Sequence, residues 1–530
     1  MFFQKKKSKS KASMDSSDSD QLQHVEQAPI LSDLDQNKQQ LQIIFQSCSD
    51  VVFRNFRIGG KYNAFLVCVD GLVDMKHVDH MILKPLMYDS HTDFLGVSPI
   101  IVLKEQSVAV GQAKEACDFN AIVTSVLYGE AAVFIEGEKT ALILDVKGWE
   151  MRSIEEPASE TVIRGPREGF NENIRTSTSL IRRKLRSPNL KLESLQIGEV
   201  AKTEIVIAYV QGIAEDSLVQ EVRHRLGRIK LDSVLESGYI EEMIEDAPYS
   251  LFPTIRNTER PDVVTANLLE GRVAILVDNT PFVLIVPVTF WSALTANEDY
   301  YERFWVGSVI RFIRLGALFI SMNLPAIYVG ITTYHQEMVP TNLLLSIAGA
   351  RQAVPFPALV EALIMELTFE ALREAGLRLP RQVGQAVSIV GALVIGQSAV
   401  QAGIVSAPMV IVVSITAIAS FTIPQFSMGI SMRILRFILL ILSGVLGLYG
   451  LTVGTMFILI HLCSLRSFGA PYFAPVAPLN ISGLKDIFVR VPWWNMNSRP
   501  ELLSGDKISE RIPKGQKPDP QRGKKGRQPS

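Results

Sequence analysis

The sequence predicts an α/β cytosolic N-terminal region, built from two related α/β subdomains, followed by a polytopic α-helical membrane domain. The first observation is the charge distribution: most of the 53 basic and 54 acidic residues lie in the first 310 residues or the last 50. The second is an apolar stretch over 315–465, in which residues 434–463 contain one charged side chain, Arg436. Since a helix of about 20 residues crosses a bilayer, this stretch is too long and apolar for a soluble core.

The N-terminal end shows basic residues without an apolar run behind them, a pattern that does not match a signal peptide. We therefore expect the N-terminal region to stay in the cytosol. Residues 1–40 are rich in Lys, Ser, Asp and Gln, which predicts a disordered tail. The four cysteines lie far apart without CxxC spacing, which argues against a zinc site or a disulfide framework.

The two α/β subdomains are predicted at residues 41–164 and 191–305. Apolar residues at helical spacing predict a helix over 41–58, followed by a buried strand over 62–69. A further helical stretch runs to Leu86.

A repeat links the two subdomains at an offset of about 140 residues. The run FLVCVDG at 65–71 matches VIAYVQG at 206–212, and AVFIEGEKTALIL at 132–144 matches AILVDNTPFVLI at 274–285. Each copy is predicted to be a strand and a helix followed by a hairpin. The predicted hairpin turns are Glu136-Gly137 and Asp278-Asn279.

A basic connector at 165–190 separates the subdomains. It contains six basic residues between Arg167 and Arg186 and few aromatic residues. This pattern favours a solvated helix and loop that docks on its neighbours. A contact with lipid headgroups or another subunit is the alternative, and the scarcity of aromatic residues disfavours RNA.

The membrane domain, 306–465, is predicted to contain four spans. They lie at about 315–331, 382–403, 405–423 and 434–463. Arg311 and Arg314 stand at the cytosolic end of the first span, as the positive-inside rule prefers, and Pro325 is expected to kink it. The last span carries a stripe of small residues that would let another helix approach closely. Its members are Gly444, Gly447, Gly450 and Gly454.

The segment 357–375 is amphipathic and carries several carboxylates. Ionised groups cost roughly 2.5 to 3.5 kcal/mol each at a bilayer centre, so this segment is predicted at the interface or facing water. Four spans leave both termini cytosolic but place Arg378 and Arg381 on the outer side of the membrane, which conflicts with the positive-inside rule. A fifth span at 357–375 would remove that conflict and send the C-terminal tail outside instead.

The C-terminal part divides into a Pro/Trp segment, 466–498, and a disordered basic tail, 499–530. Trp493 and Trp494 could anchor at the membrane surface or pack against the cytosolic region. The basic tail could contact anionic lipid.

Catalysis is not predicted. Glycine-rich phosphate-binding signatures and a nucleophile with a nearby base are both missing from the sequence. His77 and His80 have metal-ligand spacing without a third ligand, which is more typical of surface or packing residues. We therefore expect neither a metal nor another cofactor.

Polar residues inside the second span suggest a pore. Gln397 and Gln401 share a helix face with Val390 and Val394. One interpretation is hydrogen bonding between packed helices. The other is a water-filled pathway with a valine constriction and glutamine rings, formed by several copies of the chain. Carboxylates near one mouth would then attract cations. They are Glu366, Glu370 and Glu374.

Long stretches resemble the A subunit of GerA-family spore germination receptors. They include GPREGFNENIRTSTSLIRRKLRSPNLK, residues 325–380, GQSAVQAGIVS, PYFAPVAP and DIFVRVPWW. The resemblance covers about residues 45–495. It implies an inner spore membrane protein that acts with a permease-like B subunit and a lipoprotein C subunit, and that oligomerises into an ion channel opened by nutrients.

Two classes of function remain open at this point. The chain is either a nutrient-gated cation channel or a non-conducting scaffold of the receptor complex. A small-solute transporter is a third possibility, disfavoured by the small number of spans. A wetted face on 382–403 would favour the channel, and a dry, buried face would favour the scaffold.

Overall fold

A computed structural model describes residues 28–89, 113–148, 156–157, 159–378, 396–484, 486–496, 499, 511–513 and 515–518. The described chain forms two α/β subdomains and a helical bundle.

Subdomain 1 is an antiparallel five-stranded sheet with helices on both faces. Its strands are β1 (Val51–Ile58), β2 (Tyr62–Val69), β3 (Ala113–Ala116), β4 (Ala131–Ile135) and β5 (Ala141–Leu144), in the spatial order β1-β2-β4-β5-β3. Its helices are α1 (Leu34–Ile44), α2 (Met75–His77, continued by helical turns over Val78–Leu83 and Pro85–Asp89) and α3 (Phe119–Leu127). Helices α1 and α3 cover one face, and the α2 segment covers the other.

Subdomain 2 has the same architecture. Its strands are β6 (Leu190–Ile197), β7 (Thr203–Val210), β8 (Arg256–Thr258), β9 (Val273–Val277) and β10 (Val283–Val286), in the order β6-β7-β9-β10-β8. Its helices are α4 (Ile174–Lys184), α5 (Asp216–Gly227), α6 (Ser237–Ile244) and α7 (Pro261–Leu268). The predicted repeat is therefore confirmed. Even the hairpin turns correspond, because Gly137 and Asn279 both adopt positive φ angles, 87° and 68°.

Three sequence predictions in this region differ from the structure. The disordered tail predicted over 1–40 overlaps α1, which begins at Leu34 after the N-cap Asp33 and buries Leu41 and Ile44 in the core. The helix predicted over 41–58 ends at Ile44, because Val51–Ile58 pairs along its whole length with β2. Strand pairing thus overrides a helical spacing of β-branched and aromatic residues, which also suit a strand. The basic connector does contain a helix, α4, that docks on its neighbours, but this helix is not solvated all round: Ile174 and Leu180 are buried against the sheet of subdomain 2.

A buried ionic cluster joins the two subdomains. Arg182 of α4 donates from Nε and Nη2 to the two carboxylate oxygens of Asp50, each at 2.9 Å, and from Nη1 to the backbone oxygen of Leu190 at 3.0 Å. Lys191 Nζ donates to the backbone at the end of α1 at 3.2 Å. Burial lowers the pKa of Lys191 and raises that of the adjacent Cys48 thiol. These contacts hold the subdomains as one unit.

The helical bundle follows subdomain 2. Its helices are α8 (Glu298–Tyr301), α9 (Phe304–Tyr334), α10 (Thr341–Arg351), α11 (Ala358–Arg378), α12 (Gly396–Gln401), α13 (Ala407–Ser420) and α14 (Phe426–Ser464). After it come a short hairpin, β11 (Arg466–Ser467) and β12 (Ala470–Pro471), and helix α15 (Ile481–Leu484). By length and apolarity, α9 and α14 qualify as candidate membrane spans among the described residues.

Helix α14 is a hairpin of two antiparallel arms, not one continuous span. Gly447 has non-helical angles, φ 63° and ψ −152°, and separates arms of about 21 and 17 residues, or roughly 31 and 25 Å. A Cβ atom placed on Gly454 would lie 2.7 Å from Leu439, whereas 15 residues of continuous helix span roughly 22 Å. The single span predicted at 434–463 was therefore wrong.

The bundle helices run between the α/β region and the Gly447 turn. Tyr334, the last residue of α9, donates its hydroxyl to the backbone oxygens of Gly444 and Val445 beside the turn, at 3.2 and 2.9 Å. Helix α11 begins at the same end, since Leu359 contacts Gly444. It then runs back toward the α/β region and packs against α9, α13 and α14, so 357–375 is part of the bundle.

The other predicted spans fit the described helices to different degrees. The first, 315–331, lies inside α9, and 405–423 contains α13. Most of 382–403, including Val390 and Val394, lies outside the described residues.

Candidate functional site

The junction between the α/β region and the bundle is built around one buried carboxylate, Asp299. Arg311 Nε donates to it at 3.2 Å, and Arg314 donates from both terminal nitrogens at 2.9 and 3.2 Å. Arg311 also lies 3.0 Å from Asp486 in the C-terminal segment. The arginines predicted to mark the cytosolic end of the first span are thus fixed by ion pairs to Asp299, before α9, and Asp486, after α14.

Aromatic residues of the C-terminal segment complete this junction. Tyr300 donates its hydroxyl to Asp486 at 2.5 Å, and its ring lies 5.8 Å from that of Trp493. Trp494 packs edge-on against Phe304 at the start of α9, at 6.0 Å. Of the two roles considered for the tryptophans, the structure shows packing at this junction.

Both ends of the α14 hairpin rest on the loop between α6 and β8. Ser431 in the first arm donates its hydroxyl to the backbone oxygen of Leu251, and His461 in the second arm hydrogen-bonds Ser250 at 2.9 Å. Phe252 inserts between them into a buried aromatic cluster. Movement of this loop would therefore act directly on the hairpin.

A charged network crosses the interior of the bundle between α11 and α14. Arg436 lies 2.8 Å from Glu366 and 3.0 Å from Glu370, and Arg433 lies 2.7 Å from Glu370. The side chains of Glu366 and Arg436 are each only 1% exposed. Ion pairing with Arg433 and Arg436 offsets the desolvation cost that isolated carboxylates would have inside the bundle. This pairing explains how α11 can pack in the bundle interior.

The contact between Glu366 and Arg436 is a close ion pair without directed hydrogen bonds. Within the described residues neither carboxylate oxygen of Glu366 has a hydrogen-bond partner. Charge attraction alone therefore holds this pair, and its geometry is less constrained than that of the Arg433–Glu370 contact, which is hydrogen-bonded.

A third carboxylate on α11 connects it to α13. Glu361 accepts hydrogen bonds from the backbone nitrogen and the hydroxyl of Ser406, both at 2.5 Å, and lies 3.6 Å from Arg351. Ser406 stands at the N-cap of α13, where a carboxylate satisfies a free backbone N–H and complements the helix dipole.

The predicted site residues fall into separate places. Glu366 and Glu370 are ion-paired inside the bundle, so they do not form an open carboxylate mouth. Glu374 is exposed and pairs with Arg378 at 2.7 Å. Gln397 and Gln401 are exposed on α12. Sequence reasoning missed the basic half of the network, although charged residues inside an apolar helix are themselves a signal that a partner exists.

The predicted glycine stripe does provide close packing, with a different partner from the one expected. Gly450 and Gly454 contact the first arm of their own hairpin, Gly444 contacts α11, and Gly447 forms the turn. Of the histidines considered as metal ligands, His77 lies 2.7 Å from Asp74 at the start of α2. Among the described residues, no group of three or more metal-ligating side chains comes together.

Comparison with known proteins gives a consistent family match. A family model described as Bacillus/Clostridium GerA spore germination protein matches residues 39–502. The chain is 49% identical over 477 residues to Spore germination protein KA of Bacillus subtilis (strain 168), covering 89% of this chain and 87% of that one. It is 47% identical over 490 residues to Uncharacterized membrane protein YfkQ of the same strain, covering 91% and 94%.

A solved structure also matches. The crystal structure of the N-terminal domain of the A subunit of the Bacillus megaterium spore germinant receptor GerK3 is 34% identical, with a TM-score of 0.39. The match covers 50% of this chain and 98% of that one.

Proposed function

Because this chain belongs to the Bacillus/Clostridium GerA family of spore germination proteins, we propose that it is the A subunit of a nutrient-sensing receptor in the inner spore membrane. In this proposal, several copies assemble into a cation channel that opens at the start of germination. A permease-like B subunit and a lipoprotein C subunit are its partners.

Exposed apolar side chains on the bundle support a membrane position. Helices α9, α13 and α14 present them outward, where water would make them costly and lipid would not. Examples more than half exposed are Phe312, Phe319, Ile411, Ile418 and Phe457.

The hairpin at Gly447 supports a new account of the number of crossings. With α14 counted as two passes, α11 can cross the membrane and the chain still returns to the α/β side. The sixth crossing is the span predicted from sequence at 382–403, most of which lies outside the described residues. This arrangement keeps both termini cytosolic, as in the four-span prediction. It also lets 357–375 cross the membrane without sending the C-terminal tail outside.

The observation that carries the channel proposal is the exposure of the α12 glutamines. Gln397 and Gln401 have amide groups that lipid cannot satisfy, and among the described residues no helix of the same chain covers them. We infer that water or another copy of the chain meets these groups. A water-filled pathway around the axis of an oligomer provides both the water and the neighbouring copy. The scaffold alternative requires a dry protein partner on this face.

Potassium release from spores tests the proposal. Spores carrying Gln397→Ala or Gln401→Ala should leak potassium without nutrient or release it at an altered rate. Gln352→Ala is the matched control, since Gln352 is an exposed glutamine after α10. Receptor abundance is measured in each strain. Unchanged release in both variants at normal abundance would contradict the channel proposal and favour the scaffold.

A further inference from the structure

An apolar stripe lies on the outer face of α6 in subdomain 2. It consists of Tyr239 and Met243 on α6, 46% and 56% exposed, and Leu235 just before the N-cap of the helix, 66% exposed. The opposite face of α6, with Ile240 and Ile244, is fully buried in the core. The stripe is therefore unnecessary for packing subdomain 2, and its exposure in water calls for a partner.

Carboxylates without cation partners flank the α6 stripe. They are Glu241, Glu242 and Glu245, and no lysine or arginine among the described residues forms an ion pair with them. Burial and the charges of Glu245 and Glu236 raise the pKa of Glu241 to about 7. Burial and the charge of Glu242 also raise the pKa of Glu245. A cation placed here would relieve this repulsion.

We propose that the α6 stripe and its carboxylates are the docking surface for the chain's own first eleven residues, MFFQKKKSKSK. This segment joins three apolar residues, Met1 to Phe3, to five lysines. Its pattern complements an apolar stripe with an acidic border. The basic residues 519–530 also lie outside the described chain, but they have no large apolar side chain to fill the stripe.

Chain length permits this contact. The 16 residues between Lys11 and Ala28 reach up to roughly 55 Å when extended. A folded unit of about 260 residues has a radius of gyration of only about 18 Å. The tether is thus about as long as the α/β region is wide, which is enough to bring the segment onto its surface.

The docking surface lies beside the element that holds the α14 hairpin. The loop after α6 contains Asp246, whose carboxylate accepts a hydrogen bond from the backbone nitrogen of Phe468 and pairs with Arg225 at 2.7 Å. The same loop supports both ends of the hairpin. A docked N-terminal segment would thus lie next to the contacts between the α/β region and the bundle.

Carbodiimide cross-linking of the full-length chain in detergent tests the proposal. This reagent joins a lysine to a carboxylate in direct contact, and peptide mass spectrometry identifies the pair. We expect links from Lys5 to Lys11 onto the α6 carboxylates. The double variant Tyr239→Ser, Met243→Ser keeps those carboxylates and should lower the yield at least fivefold. The control Tyr88→Ser removes another exposed aromatic residue and should leave it unchanged.

Two further measurements decide the identity of the occupant. In a mixture of isotopically labelled and unlabelled chains, links should join residues of one copy, and links between copies would refute docking within the chain. Vesicles of anionic lipid test whether the N-terminal segment binds a membrane surface instead of α6. If the lysines are protected by vesicles and never linked to α6 in their absence, the segment binds lipid and the proposal is wrong.

Discussion

Replacing Gly447 by alanine should destabilise the bundle, because this glycine is the turn of the α14 hairpin. Its φ of 63° and ψ of −152° belong to a region that other residues rarely enter. The added Cβ would also lie 2.9 Å from His335 Cε1 and 3.0 Å from Tyr334 Cβ. Both effects oppose the substitution.

The size of the effect follows from these two terms. The backbone conformation costs about 1 to 3 kcal/mol for a residue with a Cβ. Overpacking against Tyr334 and His335 adds about 1 to 3 kcal/mol more. If α14 were one continuous helix, the same change would stabilise it by about 0.5 to 1 kcal/mol, since glycine is a poor helix former. The two structures therefore predict opposite signs.

Thermal unfolding in detergent, followed by intrinsic fluorescence, measures the sign. Gly429→Ala is the matched control, because Gly429 lies in the first arm of α14 and a Cβ there meets nothing within 4 Å. We expect a lower midpoint for Gly447→Ala and an equal or higher midpoint for Gly429→Ala. Stabilisation by both changes would refute the hairpin.

A cysteine pair gives an independent test of the same turn. In the double variant Leu439→Cys, Gly454→Cys, the two cysteines replace residues in contact across the arms, where a Cβ placed on Gly454 lies 2.7 Å from Leu439 Cδ2. Oxidation should link them within one chain, while each single variant should not gain such a link. In a continuous helix the pair would be roughly 22 Å apart and could not be joined.

Three other outcomes follow from the structure. Arg436→Met should lower receptor stability by about 3 to 5 kcal/mol, because it leaves buried carboxylates unpaired. Arg378→Gln, at an exposed ion pair, should cost at most about 1 kcal/mol. Thermal unfolding midpoints of the two variants measure the difference. Arg182→Leu should weaken the interface between the subdomains by about 3 to 5 kcal/mol, because it leaves the buried Asp50 carboxylate unpaired. Limited proteolysis of the α/β region should then be faster, and an unchanged rate would contradict a rigid interface. Burial raises the pKa of Cys68 to about 12, so at pH 8 its thiol should resist alkylation while exposed Cys117 reacts, and mass spectrometry detects the difference.

Local patterns were sufficient to predict the α/β region. Strands such as Tyr62–Val69 are short apolar runs, and polar turn residues follow at the same offset in both copies. These signals depend on neighbours in sequence, which is why the repeat and its hairpins could be predicted. The helix expected over 41–58 failed because the same apolar residues suit either structure, and only pairing with β2 decides between them.

The sequence by itself determined the apolar bundle, the paired subdomains and the family. Tertiary structure alone decided that Gly447 reverses the chain, because a glycine within an apolar helix is compatible with both a straight and a turned backbone. Contacts with Tyr334 and the opposing arm select the turn. It also decided that α11 enters the bundle. The cost of burying Glu366 is high for an isolated charge, and it becomes acceptable only when Arg436, 70 residues away in sequence, lies 2.8 Å away in space.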